Sequence, residues 1–530
     1  MALNNSKLTL KNLWLQYLQK QFYSQKYEYE IPDVYRNAFY LANASLVNYT
    51  NWFVHNALRV IYHEIITELK AKGHNINEAI KKINSIINII EPCNHFIDVQ
   101  FPVKMEDGQY EIFRGFRAEH GVYIRDRPCL GGLRLWPKIE KSDIKALASI
   151  STYKYACMGI DLTGAYGGIV LSRDFLQEKE LQRVIETYTK ELTKKGFCGE
   201  SVDVFEPDMN CGSNEMTWII AANSKLRGNI GNACAVGKPF LFGGVQNREK
   251  AVAQGIFFGL DVFLQNKEIM RSIGLNAGWS HKTFILQGLG NVGSFTGLYL
   301  ENAGVKCVGI VECDSHIYDG KGISIHEAIM YKRKNGSLKG FKSLAKCNEP
   351  NKVLIANCDI LVLAAAEKSL VYYIADKVKA RIVIEAANGP LTPSVHKILV
   401  GRNKLVLPDI YINSGSSIAS YFEYLKNIQH LPLKITEGRT NELFLQALKS
   451  DKHVVKYTFP NNAFNSEVLR KRILSDNSEK NVVTEVIDNI MQHTAKDIIK
   501  TAKLYNLGLD FRTAAYIKVL KKLFWTACKF

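Results

Sequence analysis

Two short stretches carry residues whose types and spacing could do chemistry. In "QGLGNVG", Gly288, Gly290 and Gly293 form a Gly-x-Gly-x-x-Gly pattern, and Glu312 follows at the spacing of an acidic residue that meets a ribose. The first glycine permits a tight turn, the second lets backbone approach a pyrophosphate, and the third lets a helix close on a strand. Asn291 and Val292 open that helix, whose N-terminus faces the anion. In "STYKYACMGIDLTGAYGG", Lys154 and the glycine-bounded Tyr166 stand in a turn fit to hold a charged reagent. A desolvated lysine can be tuned toward neutrality and serve as both acid and base.

These groups need elements to position them. "KTFILQGLGNVGSFTGLYLENAGVKCVGIVE" reads as a strand to Gly288, a helix from about Asn291, a stop at Gly304 and a second strand ending at Glu312, a complete βαβ unit. Apolar, β-rich runs follow at 359–365, 381–387 and 404–409, which continues a doubly wound parallel sheet. Before about residue 240, strands ("YEIFRGFRAEH") mix with helices ("EKELQRVIETYTKELTKKG"), so a separate α/β domain is expected there. A cleft between the two domains is the natural place for chemistry.

Bulk properties narrow the classes. With 530 residues, 47% of them hydrophobic, the chain is globular and long enough for two or more domains. No apolar run approaches the roughly 20 residues of a membrane span. The formal charge of +17 is dispersed, clustered only at Arg470-Lys471-Arg472 and Lys521-Lys522, and no RNA-binding aromatic motif accompanies it, which argues against nucleic-acid binding. The 11 Cys include no C-x-x-C pair, so no metal site is expected and the thiols read as free in a reducing compartment. Lys7, Lys11, Lys20 and Lys26 precede the first acidic residue, Glu28. That balance fits a mitochondrial transit peptide, or else a Lys-rich amphipathic first helix in a cytoplasmic protein.

"GFRAEH", "CLGGLR", "KALASISTYKYA", "EPDM", "GLGNVG", "CDILVLAAAEKSL", "EAANGPLTP", "SYFEYLKN" and "YNLGLDFRTAAY" resemble, in order and spacing, the glutamate dehydrogenases of animal type, from about residue 40 to 525. The resemblance implies a homohexamer that oxidatively deaminates glutamate with NAD(P). It also implies an extension over 1–40, a substrate and oligomerisation domain over 41–243, a Rossmann-like domain over 244–429, a helical antenna over 430–475 and a C-terminal helical segment over 476–530. Carried over position by position, Lys154 matches the lysine that holds the substrate α-carboxylate, and Asp208 the aspartate that handles protons at nitrogen. Ser420 matches the serine that helps bind the side-chain carboxylate, and Arg134 the arginine of the Gly-Gly-x-Arg turn. Asn388 and Asn413 match polar positions bordering the cofactor.

Several positions depart from the family pattern. Leu130 stands where a lysine binds the side-chain carboxylate, and Tyr166 where the catalytic lysine stands. Glu206 replaces a small residue before the Pro-Asp pair and adds negative charge beside a dicarboxylate. Asp161, Thr163 and Val252 depart from a Pro, a Gly and a Thr. Tyrosine, with an ordinary pKa near 10, does not supply a cation. Tyr166 is either a packed aromatic filling the lost lysine's volume or a general acid, and Leu130 either fills the pocket or selects an apolar side chain. The expectation is a family member with lost or reduced catalysis and a structural or regulatory role; the alternative is an active glutamate or other amino-acid dehydrogenase. Glu312 and Asp314, with no Arg in "ECDSHIYDG", favour NAD over NADP.

Overall fold

A computed structural model describes residues 27–40, 44–124, 128–228, 232–341, 349–428 and 479–529. Within it the β-rich runs assemble into two sheets. The first holds β1 (Cys93–Lys104), β2 (Tyr110–His120), β3 (Cys129–Leu135), β4 (Thr163–Val170) and β5 (Asp203–Pro207) in the order β1-β2-β4-β3-β5. β1, β2 and β4 pair antiparallel, and β3 pairs parallel with both β4 and β5. Polar and apolar residues alternate along β1 because one face meets solvent, whereas β3 and β4 are buried on both faces and read as nearly continuous apolar runs.

The second sheet runs β11-β10-β9-β6-β7-β8, with β6 (Thr283–Gln287), β7 (Lys306–Val311), β8 (His316–Tyr318), β9 (Ile360–Leu363), β10 (Ile382–Glu385) and β11 (Leu405–Leu407). All neighbours are parallel except β7 and β8. Strand order reverses between β6 and β9, so their carboxyl ends form the switch point where ligands bind in open α/β sheets. The doubly wound sheet and its βαβ unit are as the sequence predicts. The antiparallel edge strand β8 was not anticipated, because three residues inside a turn-rich stretch carry no periodicity.

Helices bind the sheets together. Lys141–Met158 buries every residue from Ala146 to Met158, laying one side on the first sheet and setting Tyr153 against Tyr516, ring centroids 5.8 Å apart, on the helix Phe511–Ala527. It ends at Gly159, whose φ of 80° serves the left-handed cap. Burial of each large side chain here contributes about 1.5–3 kcal/mol. The C-terminal helices Glu479–Leu504 and Phe511–Ala527 pack against Ala251–Leu264 and against Leu46–Ala71 respectively, joining one continuous core. Arg512, wholly buried, pairs with Glu385 at the end of β10 and with Asp409.

The predicted antenna over 430–475 and residues 1–26 of the 1–40 extension, the candidate transit peptide, lie outside the described residues; the rest of the extension includes the helix Asp33–Tyr40. No described helix is long and apolar enough to cross a membrane, and no group of three or more potential metal ligands occurs among the described residues.

Candidate active site

The carboxyl ends of β3, β5, β6, β9 and β10 surround a cleft of about 900 Å³. Gly132, Arg134, Lys154, Tyr166, Glu206 and Asp208 line it from the first domain. Gly290, Asn291, Val292, Asn388 and Asn413 line it from the second. Residues far apart in the chain thus converge as the motifs predict. Leu130 and Ser420 do not line the open cleft: both have no exposed surface. Leu130 packs in the same core cluster as Tyr166, two residues below Gly132 on the same strand face.

On the dinucleotide side the glycine turn has the required geometry. Gly288 has φ of 91°, and a Cβ there would lie 2.5 Å from the Ala364 carbonyl oxygen of the β9 end. A Cβ on Gly293 would fall 1.8 Å from the Gly288 carbonyl oxygen, so only glycine lets the helix Asn291–Asn302 close on the turn. A Cβ on Gly290 would meet no atom of the described residues within 4 Å. That open space, at the N-terminus of a 12-residue helix, fits a pyrophosphate. Glu312, just after β7, accepts a hydrogen bond from the Leu289 amide and pairs with Lys332 at 3.1 Å, both through Oε1, which leaves Oε2 for a ribose hydroxyl. Lys339 lies 3.8 Å from Asp314. Both lysines come from the segment after β8, so the short stretch around Glu312 gave no sign of these cations.

On the substrate side, Lys154 Nζ donates to Asn388 Oδ1 at 2.7 Å, and Asn413 donates to the same oxygen at 3.3 Å. Burial lowers the Lys154 pKa, opposed by the negative charges of Asp409, Glu206 and Asp208. Arg134 donates through Nε to Asp208 and through another nitrogen to Glu367, each at 2.8 Å, so it ties the two domains across the cleft. Burial alone would raise the Asp208 pKa; Arg134 and hydrogen bonds hold the carboxyl below its ordinary value, and it stays ionised.

Tyr166 sits at the centre of this group. Its ring would be 2.9 Å from a Cβ on Gly132, and the Arg134 guanidinium lies 5.8 Å from its centroid. The hydroxyl is buried beside Asp208 without closing a hydrogen bond of good geometry. Burial, then the Asp208 charge, pushes the phenol well above the ordinary tyrosine range. The ring thus fills the space beside Gly132 as a buried aromatic.

Three residues that organise the cleft were not singled out in the sequence. Arg248, in the 3-10 turn Arg248–Lys250, bonds to Glu206 and Ser420; Glu367 receives Arg134; Lys332 pairs with Glu312. Each meets its partner only through tertiary contact, so nothing local marks the pairing, although Glu367 lies within "CDILVLAAAEKSL".

Comparison with known proteins agrees with this architecture. Residues 93–225 match the dimerisation-domain model of the Glu/Leu/Phe/Val dehydrogenases, and residues 243–456 match the Glutamate/Leucine/Phenylalanine/Valine dehydrogenase model. The mitochondrial glutamate dehydrogenase of Dictyostelium discoideum is 33% identical over 444 residues, covering 83% of this chain and 86% of that protein. The NAD-specific glutamate dehydrogenase of Clostridioides difficile is 32% identical, over 65% of this chain and 80% of the relative. Among solved structures, the glutamate dehydrogenase of Peptoniphilus asaccharolyticus superposes with a TM-score of 0.64 at 25% identity, covering 92% of this chain and 98% of that one. With both family domains matched, in order and around one shared cleft, the chain belongs to the glutamate dehydrogenase family.

Proposed function

We propose that this chain is an NAD-binding member of the family in which glutamate oxidation is lost or reduced by at least ~10³-fold, a deficit that loss of acid–base catalysis and of carboxylate pairing can account for. The observation that carries the proposal is Tyr166, a buried phenol packed against Gly132 beside Arg134 and Asp208, where the resemblance calls for a lysine. The role left to the protein is structural or regulatory, within a homohexameric scaffold. Its N-terminal lysines and the mitochondrial relative support a matrix location.

The turn Gly288–Gly293 would hold the pyrophosphate, Glu312 the ribose, and Asn388 and Asn413 would border the nicotinamide. Bound there, NAD supplies a hydride acceptor. Lys154 remains to hold an α-carboxylate, and Asp208, ionised against Arg134, remains to orient an amine. What is missing is the lysine that the resemblance places at position 166 to serve as both acid and base near neutral pH. Titration calorimetry of the full chain with NAD and with NADP tests the cofactor assignment. Tighter NAD binding is expected, since Glu312 and Asp314 repel a 2′-phosphate, although Lys332 and Lys339 temper that repulsion. Equal or tighter NADP binding would refute the role of Glu312.

The retention of Lys154 and Asp208 in the cleft favours a second reading, an active dehydrogenase on glutamate or another amino acid. A panel of amino acids with NAD, read by nicotinamide reduction, separates the two: turnover of about 10 s⁻¹ on any member, the ordinary enzyme median, establishes the second.

A further inference from the structure

The side-chain end of the substrate cleft is closed by a carboxylate of the chain itself. Glu206, on β5 opposite Gly132 of β3, turns its Oε2 toward Ser420, whose Oγ donates at 2.8 Å, and toward Arg248, whose guanidinium donates at 3.2 Å. Arg248 also donates to Ser420 Oγ at 2.5 Å, which closes a three-membered set. The Glu206 and Arg248 side chains are 13% and 14% exposed, so the pair is screened from water but borders the cleft. The Arg248 Nε–H, beside the cleft-lining Gly237, has no acceptor among the described residues.

A ligand's side-chain carboxylate that sought Ser420 would find it bonded to Glu206. It would meet a like charge and a guanidinium already neutralised, and Leu130, fully buried, offers no cation in compensation. Displacing Glu206 would leave a partly buried carboxylate unpaired, which is strongly unfavourable. A monocarboxylate of the same length incurs neither penalty.

We propose that Glu206 is a built-in occupant of the side-chain anion subsite: its carboxylate takes the Ser420 and Arg248 bonds, so the native cleft disfavours dicarboxylates relative to monocarboxylic 2-oxo acids. Arg248 is then a latent cation, and removing the Glu206 charge makes it available to a dicarboxylate in place of the lysine absent at position 130. The inference rests on the proposed function insofar as the cleft takes amino or 2-oxo acids.

The test is calorimetric titration of the full chain with 2-oxoglutarate and with 2-oxopentanoate, the same chain length without the second carboxylate, each with and without NADH. In native protein 2-oxopentanoate is expected to bind at least as tightly as 2-oxoglutarate. In Glu206→Ala the 2-oxoglutarate affinity is expected to rise about tenfold or more while 2-oxopentanoate changes less than about threefold. Glu206→Gln, nearly isosteric, repeats the test should the alanine variant fold poorly. Adding Arg248→Met to either variant is expected to erase the gain. An unchanged ratio between the two acids, a gain that survives Arg248→Met, or no 2-oxoglutarate binding to either variant overturns the proposal. Titration of the same samples with NAD reads the cofactor assignment separately: variants that keep native NAD affinity but show no dicarboxylate gain count against Glu206 alone.

Discussion

Gly290 and Gly132 face each other's territory across one cleft, and a methyl group added to each would meet different fates. On Gly290 it would point into space empty to 4 Å; on Gly132 it would strike the Tyr166 ring at 2.9 Å. The dinucleotide wall leaves open space at Gly290. The substrate wall is filled by packing and internal ion pairs: Tyr166 against Gly132, Leu130 with no exposed surface, Glu206 held by Arg248 and Ser420. The two walls belong to one fold and one core, so retention of architecture says nothing about retention of chemistry. Capacity for chemistry is read from open space and from groups whose protonation can change near neutral pH.

The largest expected effect comes from reversing the substrate wall. The triple variant Leu130→Lys, Tyr166→Lys, Glu206→Ala is expected to raise glutamate turnover by ~10²-fold or more over native, and the lysine pair to exceed either lysine alone, because the two amines do separate jobs. Steady-state nicotinamide reduction measures it. A triple variant that is stable, keeps the native oligomeric state and is still inert would show damage elsewhere in the cleft.

The dinucleotide wall is sharpened by its glycines. Gly293→Ala is expected to cost about 3 kcal/mol or more in a denaturant melt, since its Cβ collides with backbone at 1.8 Å. Gly290→Ala is expected to change stability by less than about 1 kcal/mol yet weaken NAD binding about tenfold, because its methyl intrudes only on ligand space. Unimpaired NAD binding by Gly290→Ala would place the pyrophosphate elsewhere.

A pH effect comes from the support of the Lys154 helix. His120, at the end of β2, is fully buried and meets Thr152 Oγ1 at 2.9 Å; burial lowers its pKa to about 4. The unfolded chain, with an ordinary histidine near 6.5, binds more protons between those values, so this contribution to stability is present at pH 7 and lost as pH falls through the window. Glu91 and Glu119, raised to about 7 chiefly by burial, act in the opposite direction. The stability difference between native protein and His120→Asn isolates the histidine. It is expected to shrink by about 2 kcal/mol from pH 7 to pH 5.

The smallest effect is expected at Tyr166 itself. Tyr166→Phe removes a hydroxyl that closes no good hydrogen bond, so stability is expected to change by less than about 1 kcal/mol. A larger loss would mean that the hydroxyl has a working bond to Asp208.

Much of this was legible in the chain. The βαβ unit was readable because glycine spacing, strand periodicity and the terminal Glu312 agree locally, and Lys154, Asp208, Arg134, Asn388 and Asn413 converge because each sits in a collinear motif. Two substrate positions fared differently. The motifs name Leu130 and Ser420, but both have no exposed surface, with Tyr155 bonded to the Leu130 carbonyl and Arg248 to the Ser420 hydroxyl, and no local pattern encodes those contacts. The pairings of Arg248, Glu367 and Lys332 were invisible for the same reason. An ion pair between segments far apart in sequence leaves no periodic trace.

The central claim, that one cleft still receives NAD while its substrate wall no longer turns over glutamate, is tested most directly by glutamate turnover per bound NAD. NAD occupancy would be titrated calorimetrically and its reduction followed on the same sample with saturating glutamate. Saturable NAD binding is predicted, with turnover per occupied site at least ~10³-fold below the ordinary enzyme median of about 10 s⁻¹. Turnover near that median, or no NAD binding at all, would contradict the account.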